Sequence, residues 1–486
     1  MKKCVVNRWE DWVLRIMLCV VMVNTECSIV NGQLSMSLEQ AIRQAQDSTI
    51  LAFQSKYELS YNIQRFDEFM ALRKPQLMLR VAPNYQKIIS DPTRDYVYLR
   101  NFNNLSAAAS VNLTQKMLNL GGEAYVGTQA VWTEYFGSKA TYARQYVATP
   151  ILFGYRQNLL GYNPYRWEKI VEDQRVQAAR LQHQYDLNNI AEEVAKRFFK
   201  LVCAQGQYDM YQRNLQAADT LYAIACEKAS IAMVTLAELR SLELQRMNAA
   251  NALEMARTSV EDARIKLASY LQLTNGDELA GVELQFAQQP PTVSLTPAEA
   301  IDLAMANNPA YRLQVATVTE SRQQAQKAYK EKGVNVALDI NVGMQQVDNK
   351  ILHAYRDQRL YALGGITLSV PLIDHGAAKS RYAAAQAWVS REESALDEME
   401  RRLKEDVMAT MNDIRTYWQL LERTSEAMVM ADEVFVLNAD NYANGLSDIN
   451  TYTLAQNRRD DAYTQYLSAL EKYWITYYHL MTLTNE

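Results

Sequence analysis

Few side chains in this chain of 486 residues are placed to do chemistry. The four histidines, His183, His353, His375 and His479, stand far apart and at none of the spacings that bring metal ligands together. No nucleophile motif and no phosphate-binding glycine loop occurs, so no catalytic, cofactor-binding or metal residue is expected, and the chain does not read as an enzyme. The dense charge of Glu400-Arg401-Arg402-Leu403-Lys404-Glu405-Asp406 reads as a solvated helix face. Of the five cysteines only Cys203 and Cys226 lie beyond the first 32 residues. Both fall in one helical stretch, about 35 Å apart at the ~1.5 Å rise of a helix, so no disulfide is expected between them.

Composition narrows the classes further. An apolar fraction of 49% with 22% charged residues is a globular balance. A net charge of -5 gives no basic face for a polyphosphate, so no nucleic-acid partner is expected. Lys2, Lys3 and Arg8 precede the apolar run Ile16 to Val23, and a cleavage after Gly32 with Val30 at minus three makes 1–32 a secretory signal, although Glu10, Asp11 and Arg15 crowd its apolar region. Asn24, Thr25 and Glu26 before Cys27 do not fit a lipid-attachment signal. No run of ~20 apolar residues follows, so no membrane-spanning helix is expected. An exported chain of this kind is periplasmic, secreted or an outer-membrane β-barrel.

The elements that organise the chain show in its glycines and prolines. Of 26 such residues, 23 fall between Pro75 and Pro164 or between Gly276 and Gly376; Gly32, Gly206 and Gly445 stand outside these windows. Their absence from 165–275, Gly206 apart, and their scarcity over 377–486, where Gly445 stands alone, predict two long helical segments. Leu396, Met399, Leu403, Val407, Met411, Ile414, Trp418 and Leu421 step by three or four, as one helix face does. A helix from Ala377 to Asn444 would run ~100 Å and needs equally long neighbours, with Gly445 letting the chain turn back. The windows rich in glycine and proline read as strands. Val336, Leu338, Ile340, Val342 and Met344 alternate with polar or small residues, which suits either a membrane barrel or a soluble antiparallel sheet.

The two halves repeat. SLEQAIRQA at 37–45 matches TPAEAIDLA at 296–304, VNLTQKMLNLG at 111–121 lies over ITLSVPLIDHG at 366–376, and KASIAMVTLAELRSLELQ lies over NYANGLSDINTYTLAQNR. The first half carries an insert between Gly121 and Pro164, expected to add a hairpin at 122–158; four strands in the first half and two in the second return the chain to its starting side.

In this order, twice, these features resemble the TolC-type outer-membrane efflux proteins over essentially all of the chain beyond residue 32. The "AI..A" openings, the Asn307-Asn308-Pro309 run, SVPLIDHG at 369–376 and YANGLSDI at 442–449 carry the likeness. The resemblance implies a mainly α fold of two tandem structural repeats. Long antiparallel helices would form a periplasmic α-barrel, and the strands of three chains a shared outer-membrane β-barrel, four strands per chain in the family. The residues of the insert at 122–158 predict six per chain here, the alternative being an extracellular or periplasmic flap outside a barrel of ordinary size.

Its divisions are a signal peptide at 1–32; a first helix at 33–74, strands with the inserted hairpin at 75–164 and a helical hairpin at 165–275; a linker at 276–294; then a first helix at 295–332, strands at 333–374 and a helical hairpin at 375–486. It implies a homotrimeric conduit without cofactor, set in outer-membrane lipid and passing drugs or exported proteins. A periplasmic adaptor would join it to an inner-membrane RND or ABC transporter. The adaptor contacts are then the tips, Met233, Val234 and Thr235 with Gly445, Leu446 and Ser447; Met233 stands where the second half has glycine. Tyr442 and Asp448 are candidates for the periplasmic entrance, since the family's acidic positions read Thr451 and Leu454 here; Asp448 equally suits a helix N-terminus. The alternative is a periplasmic coiled-coil protein with a small soluble sheet and no channel.

Overall fold

The computed structural model describes residues 35–88, 102–136, 144–230, 234–273, 283–285, 290–444 and 446–485. The expected signal at 1–32, Met233, Gly445 and most of the linker at 276–294 lie outside the described residues.

In chain order the elements are β1 (Ser35–Ser37), α1 (Leu38–Ser48), α2 (Ile50–Ala71), β2 (Gln76–Ile88), β3 (Phe102–Met117), β4 (Gly122–Phe136), β5 (Arg144–Asn158), α3 (Pro164–Ser230), α4 (Leu236–Tyr270), β6 (Glu283–Gln285), α5 (Pro297–Asn307), α6 (Pro309–Glu331), β7 (Asn335–Asp348), α7 (Ile351–Ala354), β8 (Arg359–Ser369), α8 (Ala377–Ala443) and α9 (Ile449–Thr484). They make two compact units, one from the described residues of 1–49, 193–292 and 419–475, the other from 50–192, 293–418 and 476–485.

The first unit is helical apart from a short parallel pairing of β1 with β6. Its core is aromatic and aliphatic. Phe199 stacks on Trp474 with ring centroids 5.3 Å apart, and Phe198 meets Phe199 edge-on. Leu267, Leu271 and Leu470 are buried, and the buried Tyr473 donates its hydroxyl to the Pro291 carbonyl at 2.6 Å. Gly206, alone in the interior of α3, marks a close approach: a Cβ there would stand 2.8 Å from the Tyr463 hydroxyl and 2.9 Å from Leu467 Cδ1, both on α9.

The second unit holds an antiparallel sheet of order β2-β3-β4-β5-β7-β8 with α2, α5, α6 and parts of the long helices. Its helical core joins Ala300 and Ala304 of α5 to Leu403 and Val407 of α8, with Ile301, Met305, Tyr311, Met411 and Leu483 around them. This burial explains the apolar stripe of α8 and the "AI..A" spacing, which puts two alanines one turn apart on a single face.

The single helix expected at the head of each half is two helices. Thr49, extended at ψ 148°, separates α1 from α2. Asn308, at ψ 120°, ends α5 and caps α6 by accepting from the Tyr311 N–H at 3.1 Å. There the cause is Pro309, whose ring disfavours helical geometry at the residue before it.

Within the segment 122–158, β4 and β5 pair antiparallel inside the sheet, and β5 is hydrogen-bonded to β7 of the second half. A central strand cannot use the missing N–H of Pro150, and the ladder slips there, between Ala148 and Ile151. Pro83 sits on β2, an edge strand, where a missing donor is tolerated.

Candidate functional site: the hairpin tips and the sheet faces

Both helical tips lie in the first unit. At the first, Thr235 caps α4: its hydroxyl accepts from the Glu238 N–H at 3.2 Å, and its own N–H donates back to the Glu238 carboxylate at 3.0 Å. These bonds satisfy donors that the first helical turn leaves open, and the Thr235 N–H, with the Thr235 hydroxyl that donates to the same carboxylate at 2.9 Å, holds the Glu238 carboxyl below its ordinary value. Val234 is half-buried beside the cap.

At the second tip the Leu446 N–H donates to the Asn441 carbonyl at 2.8 Å, a bond spanning five residues that closes the helix end in the manner of a Schellman motif. Leu446 itself is exposed. The Ser447 hydroxyl is covered and, among the described residues, has no hydrogen-bond partner. Asp448 caps α9, its carboxylate accepting from the Thr451 hydroxyl and, at 2.8 Å, from the Thr451 N–H; these bonds lower its pKa, the hydroxyl contributing most. The carboxylate that could serve an entrance is thus engaged as a helix cap.

Aromatic rings pack behind the second tip. Tyr442 packs on Tyr452 at 5.6 Å, and Tyr452 on Phe435 at 5.5 Å. Burial raises the Tyr442 hydroxyl first, and the Glu238 charge from the other tip raises it further. Arg459 lies 4.0 Å from the centre of the Phe435 ring and donates to Asp460 at 2.8 Å and to Asn214 of α3 at 2.7 Å. The sequence reading singled out none of Tyr452, Arg459, Asp460 and Asn214. An aromatic ten residues after Tyr442 was the only available signal, and it needs the hairpin in place to mean anything. Among the described residues of the tips none is arranged to react. They present capped helix ends with exposed Leu236 and Leu446, which suits docking.

The sheet, in the second unit, sorts its residues by face. On one face the register lays Leu77, Leu113, Val126, Phe153, Val342 and Ala362 side by side across all six strands, flanked by Leu79, Val111, Ile340 and Ile366. Leu77 and Ile366, on the two edge strands, are 71% and 70% exposed, far from the burial such residues find in a soluble sheet.

The other face carries Lys116, Glu123, Arg156 and Asp339 opposite one another on β3, β4, β5 and β7, a row of alternating charge. Arg156 donates to Asp339 at 2.9 Å, and Glu123 accepts from the Tyr165 hydroxyl at 2.6 Å. In the next row the Tyr125 hydroxyl, reaching past Gly154, donates to the Asn341 side chain on β7. These charges are legible in the sequence, but only the register puts them in line. β2 and β8 have no neighbour on their outer sides among the described residues. No described helix is long and apolar enough to cross a membrane, and no described cluster of three or more His, Cys, Asp or Glu could hold a metal.

Solved structures match this arrangement. The chain is similar to the outer membrane protein VceC of Vibrio cholerae, with a TM-score of 0.65, 12% identity, and 92% of this chain and 96% of that one covered. The outer membrane channel CmeC of Campylobacter jejuni matches at 0.62 and 11% identity, over 92% and 85% of the two chains. The open state of the outer membrane channel MtrE of Neisseria gonorrhoeae matches at 0.59 and 13% identity, over 95% and 93%. The chain has the TolC-type channel fold. No family model matches the sequence, and no curated protein matches it. At these identities the likeness is one of fold, so what the channel fold does in this chain rests on its own residues.

Proposed function

We propose that the chain is the outer-membrane channel-tunnel of a tripartite efflux or type I secretion system, conducting drugs or exported proteins passively from an inner-membrane transporter to the exterior. The observation that carries the proposal is the apolar face that runs across all six strands, exposed at Leu77, Leu113, Phe153, Val342 and Ile366, with a polar face behind it and, among the described residues, an open edge at each end. Such a face is costly in water and suited to lipid, and open edges are tolerated in a membrane only when a sheet closes on itself. Three copies, joined through β8 of one and β2 of the next, would close the barrel. The soluble-sheet alternative leaves the apolar face without a role.

On this reading the two halves are tandem repeats. Gly121 and Gly376, matched by the repeat, both have left-handed backbone, φ 75° and φ 84°. The tips at Val234, Thr235, Leu446 and Ser447, with Met233 and Gly445, dock a periplasmic adaptor that links the tunnel to an RND or ABC transporter, and Tyr442 and Asp448 stand at the periplasmic entrance.

The test is fractionation followed by mass measurement in detergent. The protein is expected in the outer membrane, as a trimer by light scattering that migrates as an oligomer on an unheated gel. A monomer found in the soluble periplasmic fraction would refute the channel.

A further inference from the structure

The geometry points to the hairpin β4–β5 as a self-contained insert that sets the bore of the channel's outer end. The inference rests on the trimeric channel proposed above, and four observations carry it.

The ends of the insert meet. The chain enters β4 directly after Gly121 and returns at Asn163, and a Cβ built on Gly121 would stand 2.8 Å from Asn163 Cγ. Asn163 Nδ2 donates to the Leu118 carbonyl at 3.0 Å, and Gln157 Nε2 donates to the Leu120 carbonyl at 2.9 Å. The hairpin thus leaves the turn and comes back to the same turn.

The second half makes the same exit without the detour. After β8, Asp374 accepts from the Gly376 and Ala378 N–H groups at 3.0 Å each, and α8 starts at Ala377. Gly121 has the matching left-handed backbone, yet α3 waits until Pro164. The first half therefore contains the geometry of a direct strand-to-helix passage with a hairpin spliced into it.

The charges stay in register around the splice. Glu123 and Arg156 stand between Lys116 and Asp339 in one cross-strand row. Removing β4 and β5 leaves β3 and β7 antiparallel with Lys116 opposite Asp339, still an opposite-charge pair, which is the favourable arrangement across strands.

The apolar face is preserved in the same way. Val126 and Phe153 stand between Leu113 and Val342, so removal would set Leu113 against Val342 and keep the two apolar residues in one row. The insert thus preserves strand direction, the opposite-charge pairing of that row and the apolar row beside it, and it adds two strands.

Three six-stranded sheets close a barrel of eighteen strands, and three sheets without the hairpin close one of twelve. Barrel diameter grows roughly linearly with strand number, and ~16–18 strands leave a water-filled channel. The insert therefore widens the outer end by about half and admits correspondingly bulkier solutes.

The experiment compares the full chain with a variant lacking 122–162, so that Gly121 joins Asn163. Each is inserted into a planar bilayer, and neutral polyethylene glycols of graded size are added on the side of the sheet, where entry depends on the outer bore and not on the helical tips. The largest polymer that enters the deletion variant should be smaller in hydrodynamic diameter by about a third; equal cut-offs in two working channels would overturn the inference. Should the variant fail to insert, cysteines introduced one at a time into the full chain with Cys203→Ala and Cys226→Ser decide. Val126→Cys should be reached by a lipid-soluble quencher and Tyr125→Cys by a water-soluble thiol reagent; both open only to water would place the hairpin outside the wall and overturn the inference. A full chain that forms no trimer and no channel would refute the function itself and the bore with it, a result distinct from equal cut-offs.

Discussion

Tyr125 lies over Gly154 so closely that a Cβ at position 154 would meet the ring at 2.1 Å, and past that glycine its hydroxyl reaches Asn341. The contact ties three strands, since Gly154 belongs to β5 while Tyr125 and Asn341 belong to β4 and β7. Gly154→Val should push the ring aside and separate the hydroxyl from Asn341. Overpacking of this kind costs about 1–3 kcal/mol. The urea midpoint of the protein in detergent should fall accordingly, while Gly365→Ala, which meets nothing closer than 4.0 Å, should leave it unchanged.

The core of the first unit predicts a larger loss. Phe199 is fully buried and stacked on Trp474, so Phe199→Ala removes a ring from a packed site. The expected cost is about 3–5 kcal/mol, read as a lower denaturant midpoint. An unchanged midpoint would mean that the stacked pair is not part of the folded core.

At the tips the prediction concerns acid. The pKa of Glu238 is lowered by the Thr235 N–H and hydroxyl, and that of Asp448 by the Thr451 hydroxyl and N–H. A depressed pKa in the folded state means that the caps contribute fully above the ordinary carboxylate value of about 4 and are lost as the pH falls through the depressed value. Hydrogen exchange at the Thr235 and Thr451 amides, corrected for the intrinsic rate, should show equal protection at pH 7 and pH 5 and progressive loss below about pH 4. Glu238→Gln and Asp448→Asn keep an acceptor oxygen and should remove this dependence.

Docking at the second tip predicts a separation of assembly from function. Gly445→Glu should be exported and trimeric yet fail to support efflux, because a bulky charge at a close helix-to-helix contact has neither room nor partner. Equal efflux at matched outer-membrane amounts would show that the adaptor binds elsewhere.

The long helices were legible because, Gly206 and the leading Pro164 of α3 apart, glycine and proline are missing where α3, α4, α8 and α9 run, and β7 because its residues alternate from Asn335 to Gln345. The matched openings were legible for a related reason. Ser37 with Gln40 and Thr296 with Glu299 both form capping boxes, and Ala41, Ala45, Ala300 and Ala304 are all fully buried. The break at Thr49 left no such mark, because threonine is common within helices and no proline follows it. The charge row and the Arg459–Asp460–Asn214 cluster were hidden because residues distant in sequence become neighbours only through register and helix pairing.

The two outer strands of the sheet are different sequences, β2 at one edge and β8 at the other. In the trimeric ring proposed above, closed head to tail, every copy would supply one of each, and a copy with a damaged β8 could still be captured through its sound β2. Such a copy would enter rings and leave them open. With equal amounts of damaged and intact chains, roughly an eighth of randomly assembled trimers would contain only intact copies. A cell carrying both alleles would then lose most of its closed rings, so a lesion on β8 should behave as dominant, whereas a lesion that prevents the chain from folding at all should behave as recessive.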